Sequence, residues 1–462
     1  MLPREFLAAL YRAAVAAVDP DRLVSEALGR RGRAVWVRSV ADPRAREFVF
    51  VPDRLAVLAL GKAAVPMARA ASRALGDRIT DGLVVAPPGG SRDSLPASFR
   101  LLETSHPHPD ERSLHAGEAA LSFARSLRHG DLFLVLLSGG GSALAAAVPY
   151  EVPLEHKSRT VALLMAAGAP IADVNLVRGS LSRLKAGRLA AAAGEAKVVT
   201  LVVSDLGDAG WHLVASGPTL GVPPSPREAL TILDRYRLFP LVPPSVRHFL
   251  KGAGAADPGV PSADRWSVLL GDIRTALEGA RQEAVRLGAE ARVIPELLAG
   301  EARPAARRLA VAGACAGNLV RRAGARHRRL VTLFGGETTV TVKGSGSGGR
   351  NRELALATAL LVDGVKGAAA LVAGTDGVDH TADAAGAFVD DTTIARARAR
   401  GLDPLASLAA NDSGPFFAAL GDAFSPGATL TNVGDVAFVL APGEELPPPP
   451  PEDDWEIPLP PT

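Results

Sequence analysis

Short apolar runs that stop at Gly, Ser or Asp and give way to helical sequence set the strongest limit on what this chain can fold into. Leu55–Leu60 ends in Gly61-Lys62 and leads into an Ala-rich helical stretch, Ala63–Leu75. Leu132–Leu137 ends in Ser138-Gly139-Gly140-Gly141-Ser142, and Val198–Val203 ends in Ser204-Asp205; Gly82–Ala86 is a further strand candidate. Runs this short and apolar suit strands buried on both faces, and their alternation with helices predicts a parallel sheet in an α/β protein. Ligands of such sheets bind beyond the carboxyl ends of the strands. Three of these strand ends carry groups able to hold phosphate or metal, which marks the first half of the chain as catalytic.

The remaining sequence predicts a second α/β block. Apolar spacing predicts a helix over 4–29, ahead of the strands. Residues 217–265 are rich in Pro and Gly, with an amphipathic helix near Arg227–Tyr236, and read as a connection. From Trp266 the expected order is a strand (Ser267–Leu270), a helix (Thr275–Leu287), a strand (Arg292–Ile294) and a helix (Ala302–Ala323). Strands at Leu330–Phe334, Val340–Val342 and Ala368–Ala373 follow, with a helix at Arg352–Leu361. A chain of 462 residues exceeds one ordinary core. The expected domains are therefore residues 1–240, a connection over 241–265, a second domain over 266–442 and a Pro-rich tail over 443–462, with Trp455 and Ile457 as anchors for the tail.

Composition removes several classes of function. A net charge of +2 argues against a polyanionic partner, and the short cluster Arg326, Arg328 and Arg329 reads as a solvated face, so no nucleic acid is expected. The single cysteine, Cys315, sits among small residues and reads as packing. No signal-like segment and no membrane-length apolar stretch is present, so a cytoplasmic protein without a membrane partner is expected. A homodimer is compatible with the sequence, which leaves oligomeric state open.

Several constellations could carry chemistry. The turn Ser138, Gly139, Gly140, Gly141, Ser142 allows close backbone approach to an anion, although a tight strand–helix turn needs the same residues. Lys62 holds an ammonium at a strand end, and Asp205 with Asp208 could supply oxygen ligands for Mg²⁺. The densest feature is Gly344-Ser345-Gly346-Ser347-Gly348-Gly349-Arg350-Asn351-Arg352-Glu353, a loop delivering Arg350 and Asn351 to a helix start. Arg binds carboxylate or phosphate through paired hydrogen bonds. Gly374-Thr375-Asp376-Gly377-Val378-Asp379 sets two carboxylates after a strand, where phosphoryl transfer needs a group to orient an attacking hydroxyl. Asn411-Asp412 and Asn432-Val433-Gly434-Asp435 read as turn caps or buttresses. His106-Pro107-His108-Pro109 reads as an ordered turn, with zinc disfavoured for want of further ligands.

Taken in order, these segments resemble the type 2 glycerate kinases, also called the glycerate 2-kinase or MOFRL family. The resemblance runs through Leu58-Ala59-Leu60-Gly61-Lys62-Ala63-Ala64, His106-Pro107, Leu137–Leu144, Asn175 with Val177-Arg178, and Leu181–Ala190. It continues through Ser204-Asp205, Ser216-Gly217-Pro218-Thr219, Gly335-Gly336-Glu337, Gly348-Gly349-Arg350-Asn351, Gly374-Thr375-Asp376-Gly377, Asn411-Asp412-Ser413 and Thr431-Asn432-Val433. It covers nearly everything from residue 5 to 440. The implied fold is α/β with two domains, a larger Rossmann-like three-layer α/β/α N-terminal domain and a smaller α/β C-terminal domain, with the active site in the cleft between them. The implied reaction is phosphorylation of D-glycerate at its C2 hydroxyl, with ATP and Mg²⁺. By position the resemblance ties Lys62, Arg350 and Asp376 to substrate binding and catalysis, and the substrate set is extended to Asn351 and Glu337. Arg352 and Ala428-Thr429-Leu430-Thr431 depart from the family's usual residues.

Two other readings stand beside this one. A nicotinamide-dependent hydroxypyruvate reductase would need a G-x-G-x-x-G turn after an early strand, and none is present. A non-catalytic sensor of a small phosphorylated acid would suit the glycine turn but leave Asp376 without a task.

Overall fold

The computed structural model describes residues 1–40, 44–89, 94–207, 210–221, 223–252, 265–322, 329–381 and 383–441, apart from the side chains of Ile171 and 314–322. Asp208, the Cys315 side chain, Arg326, Arg328 and the tail with Trp455 and Ile457 lie outside the described residues, as does 253–264 of the expected connection.

The chain divides into two units: Pro20–Leu270, and Met1–Asp19 together with Gly271–Thr462. The first contains a small antiparallel sheet of β1 (Leu28–Arg31), β2 (Ala34–Val37) and β3 (Phe48–Phe50). Its main sheet holds β4 (Leu55–Leu60), β5 (Asp81–Ala86), β6 (Phe99–Glu103), β7 (Leu132–Leu137), β8 (Lys197–Val203) and β9 (Arg265–Gly271), in the order β6-β5-β4-β7-β8-β9. From β6 to β8 every pair is parallel. All residues of β4 and β7 are buried, as unbroken apolar runs demand in a parallel sheet covered on both faces. Leu60 lies opposite Leu137, and Leu137 opposite Val202, so Gly61, Ser138 and Ser204 leave the sheet at one edge.

In the second unit the sheet is mixed. It contains β10 (Glu290–Val293), β11 (Leu330–Gly336), β12 (Ala369–Gly374), β13 (Gly386–Asp390), β14 (Ala423–Phe424) and β15 (Asp435–Leu440), in the order β10-β11-β15-β12-β13-β14. Only β10 and β11 are parallel. The helix Arg350–Leu361 is buried from Asn351 through Ala359, and its Leu and Ala side chains from Leu354 to Ala359 pack into the core with Leu309, Phe334, Ile394 and Phe417.

Four expectations are corrected. The helix predicted over 4–29 is two helices, Pro3–Ala17 and Pro20–Ala27, separated where Pro20 lacks the N–H to continue the first. The first of them belongs to the second unit, where Gly279 lets the helix Ile273–Arg286 approach Ala13 and Ala17; a Cβ on Gly279 would stand 2.4 Å from the Ala17 methyl. The strand expected to open the second block is β9, the edge of the first sheet. Val340–Val342 forms no strand; Thr339 makes one isolated bridge to Glu301. Residues 217–252 are more than a connection, since the helices Pro226–Arg235 and Pro244–Gly252 bury Ile232, Leu233, Val246 and Leu250 against Val174, Val177 and Leu181.

Candidate functional site

In the Pro20–Leu270 unit the three strand ends converge. The Lys62 amide donates to the Gly139 carbonyl at 2.8 Å, and the Ala63 amide donates to Ser138 Oγ at 2.9 Å. Gly61 adopts φ +132°, and a Cβ there would fall 2.2 Å from Ser138 Oγ. Both the backbone conformation and the space require glycine. A Cβ on Gly139 would fall 2.1 Å from Asp205 Oδ2, and one on Gly140 would lie 3.1 Å from the side chains of Lys62 and His106. The absent side chains are thus what let Lys62, His106 and Asp205 close around the turn. Burial pushes the Asp205 carboxyl up from its ordinary range, against the opposing pull of its own backbone amide and of Lys62. Ser142 Oγ lies 2.6 Å from Ser216 Oγ. The helix expected after the turn is a single turn, Gly141–Leu144, so it offers little helix dipole to an anion.

In the second unit the start of β15 lies between the ends of two strands: Asp435 is opposite Gly336 of β11 and Gly374 of β12. That register brings Glu337, Asp435 and the Thr375-Asp376 turn to one sheet edge. Arg350, at the start of its helix, meets them there. Its Nε and Nη2 donate to the two oxygens of Asp435 at 2.6 and 3.1 Å, and Nη1 donates to Glu337. Burial alone would make its proton easier to lose, but Asp435 and Glu337 outweigh that and raise its affinity for the proton. A guanidinium carries five N–H groups, so this fork keeps donors beyond those three bonds. Asn351 Nδ2 donates to Asp435 Oδ1 at 3.2 Å, while its buried Oδ1 has no hydrogen-bond partner.

The glycine-rich loop owes its shape to packing as well as to access. Asn411 Oδ1 accepts from the amides of Lys343 and Gly344 at 2.8 and 3.0 Å, and Asp412 Oδ1 accepts from Ser347 at 2.8 Å. Side chains on Gly344, Gly346 or Gly348 would collide with the segment Ala410–Ser413. Asn411-Asp412 is therefore the mould that holds the loop. Asp379, one of the two carboxylates after β12, faces inward and accepts from the amides of Asn351 and Arg352 at 3.1 and 2.9 Å. Asp376 is half-buried and receives the Val378 amide at 3.1 Å. Its turn is fastened by Thr429 Oγ1, which donates to the Thr375 carbonyl at 2.6 Å, so the variant 428–431 stretch retains a structural task.

Two contributors carried little sequence signal. Asp435, which holds Arg350, looked like one more turn cap. Tyr11 lies on the apolar stripe of the first helix and donates through its hydroxyl to the Gly374 carbonyl at 2.8 Å; burial, then Asp376 and Asp435, push its ionisation upward. The spacing Leu7–Tyr11–Ala14 could have placed Tyr11 on the buried face, but not beside Asp376.

Residues 6–251 match a domain of unknown function (DUF4147), and residues 330–435 match the MOFRL family. The chain belongs to the MOFRL-type glycerate 2-kinase family. Among its relatives, the D-glycerate 2-kinase of Thermotoga maritima is 34% identical over 93% of this chain and 96% of that protein. A protein of Agrobacterium vitis named, provisionally, as a hydroxypyruvate reductase is 36% identical over 84% of this chain and 99% of its own length. The crystal structure of a glycerate kinase from Thermotoga maritima superposes with a TM-score of 0.79 over 94% of this chain and 98% of that chain, at 34% identity. A Pyrococcus horikoshii protein structure gives 0.76 over 96% and 99%, at 31% identity. Among the described residues no helix is long and apolar enough to cross a membrane.

Proposed function

We propose that the protein transfers the terminal phosphoryl group of ATP to the C2 hydroxyl of D-glycerate, forming 2-phosphoglycerate and ADP. The reading takes donor-side groups from the Rossmann-like Pro20–Leu270 unit and acceptor-side groups from the other. Support comes chiefly from the assembly of Arg350, Asn351, Asp376 and Asp435 at one sheet edge, in a family whose members include named glycerate kinases. Arg350, already oriented by Asp435, presents further N–H groups to the glycerate carboxylate. Asp376 orients the C2 hydroxyl, whose oxygen forms the new bond to phosphorus as the bond to the ADP oxygen breaks and whose proton passes to Asp376 or to water. Lys62 neutralises charge on the phosphoryl oxygens as it is redistributed.

A divalent ion suits the chemistry beside the glycine turn. Because Gly139 has no Cβ, the Asp205 carboxylate can lie against the turn, and Mg²⁺ requires only one or two protein carboxylates because it retains water. Asp205 would hold the ion, and when bound it would screen charge between the phosphates.

The test is a coupled reaction containing the protein, D-glycerate, ATP, Mg²⁺ and enolase, without phosphoglycerate mutase. Signal under these conditions identifies the 2-phosphate. Signal only after mutase is added would move the reaction to C3. Oxidation of NADH or NADPH by hydroxypyruvate, without phosphoryl transfer, would establish the reductase reading. Ligand binding with neither reaction would establish a sensor.

A further inference from the structure

Beside the glycine turn, the Pro20–Leu270 unit contains a cavity of about 360 Å³ lined by Ser142, Lys157, Ser158, Arg178 and Lys185, with an apolar wall that includes Val161 and Met165. Its charge is one-sided. Lys157 and Lys185 are 6% and 2% exposed, and Arg178 is half-buried; neither lysine has an acidic partner among the described residues. Lys185 Nζ donates to the Ser142 carbonyl at 3.1 Å, and Arg178 Nη1 donates to Asn175 Oδ1 at 3.2 Å. Both acceptors are neutral.

Buried cations without counter-charge are unfavourable, and the protein alone does not relieve them. Burial, reinforced by Arg178, lowers Lys157 to about 7, and burial with Lys157 and Arg178 lowers Lys185 well below its ordinary value. A structural role would be served better by Met or Leu at either position. The cavity has the size of a small-molecule site, and three converging basic side chains are the complement of an extended polyanion, whose charge favours the protonated form of both lysines.

We propose that this cavity seats the polyphosphate chain of the donor nucleotide, with Lys157, Arg178 and Lys185 as its counter-charges. The assignment rests on the kinase reading and refines it: the backbone turn at Ser138–Ser142 supplies close approach, and the cavity beside it supplies charge. Lys185 joins the two through Ser142.

Steady-state kinetics of the full chain and its K157M, K157R and K185M variants test this, together with calorimetry using sodium tripolyphosphate. The expected result is an increase of at least tenfold in KM for ATP in K157M and K185M, with KM for glycerate unchanged within about twofold. K157R should recover most of the loss. Tripolyphosphate should inhibit competitively against ATP and bind K157M at least tenfold more weakly than wild type. Unchanged KM for ATP and unchanged tripolyphosphate affinity in K157M would overturn the proposal. Competition against glycerate, with KM for ATP unaltered, would assign the cavity to the acceptor or product anion and overturn the donor assignment. If wild-type protein turns over no glycerate, calorimetry still decides: loss of tripolyphosphate binding in K157M supports a polyanion seat, and retention refutes it. If K185M fails to fold, the K157M and K157R pair carries the test.

Discussion

Replacing Asp379 by Asn should loosen the helix that presents Arg350, by an amount that follows from its contacts. The Asp379 carboxylate accepts three N–H groups: the amides of Asn351 and Arg352 and the Nε of Arg352, at 3.1, 2.9 and 3.2 Å. Arg352 is 1% exposed. Asparagine keeps one acceptor oxygen, but turns its NH₂ toward another donor and removes the negative charge opposite a buried guanidinium. Removing one member of a buried ion pair costs about 3–5 kcal/mol. Part of the guanidinium's hydrogen bonding survives, through Asp383 Oδ2 at 3.0 Å, Thr381 Oγ1 at 2.7 Å and the Asp379 carbonyl at 2.8 Å. The lower end of the range, ~3 kcal/mol, is therefore expected. Tryptophan fluorescence is the wrong assay, since the described tryptophans, Trp36, Trp211 and Trp266, all belong to the other unit. Hydrogen exchange of the Arg350–Leu361 amides reads the helix directly, and protection there should fall on the order of a hundredfold. Protection within about threefold of wild type would refute the reasoning, because the carboxylate would then contribute no more than a neutral acceptor.

Other consequences can be checked with equal directness. Arg350→Ala and Asp376→Asn should each lower glycerate-dependent turnover more than about tenfold, since each removes a group proposed to act on substrate; near-native turnover in both would remove those roles. Gly139→Ala puts a Cβ 2.1 Å from Asp205 Oδ2, so the carboxylate must move, and titration of activity with Mg²⁺ should show a higher half-saturating concentration. Lys157 supplies a pH signature. With its folded pKa at about 7 and its unfolded value near 10.4, the unfolded chain binds more protons between those limits. Stability therefore rises with pH across that window by about 1.4 kcal/mol per pH unit for this one group, and its cost is greatest below the window. Lys157→Met should remove that share of the slope in thermal unfolding measured across the window, leaving whatever the neighbouring Lys185 contributes.

What could be read from the chain follows from how locally each feature is encoded. The ends of β4, β7 and β8 were legible because a strand buried on both faces must be continuously apolar, and its first Gly, Ser or Asp marks where it leaves the sheet. Arg350 was legible because a glycine-rich loop stopping at a cationic pair is unusual for a linker. Asp435 lies 85 positions from Arg350, and only the pairing of β15 with both β11 and β12 gives it a task. Lys157 was obscured for another reason. In Leu154-Glu155-His156-Lys157-Ser158-Arg159 it stands among polar neighbours and reads as part of a solvated helix face. The edge position of β9 was hidden too, since a strand's sequence carries its burial but not the sheet it joins.

The first nineteen residues have a consequence for how the protein comes into being. The helix Pro3–Ala17 is synthesised before the Pro20–Leu270 unit, yet its partners, the helix Ile273–Arg286, the Gly374 carbonyl and the Phe424 ring, are synthesised after the whole of it. At ordinary translation rates that delay is on the order of ten to fifty seconds. During it the Pro20–Leu270 unit, which is continuous in sequence, can fold, while Phe6, Leu7 and Leu10 remain without their native cover. A gene fragment beginning at the second block would lack this helix and leave its docking surface open. An appendage fused before Pro3, at the far end of the sequence, would burden the unit that holds Arg350 and Asp376.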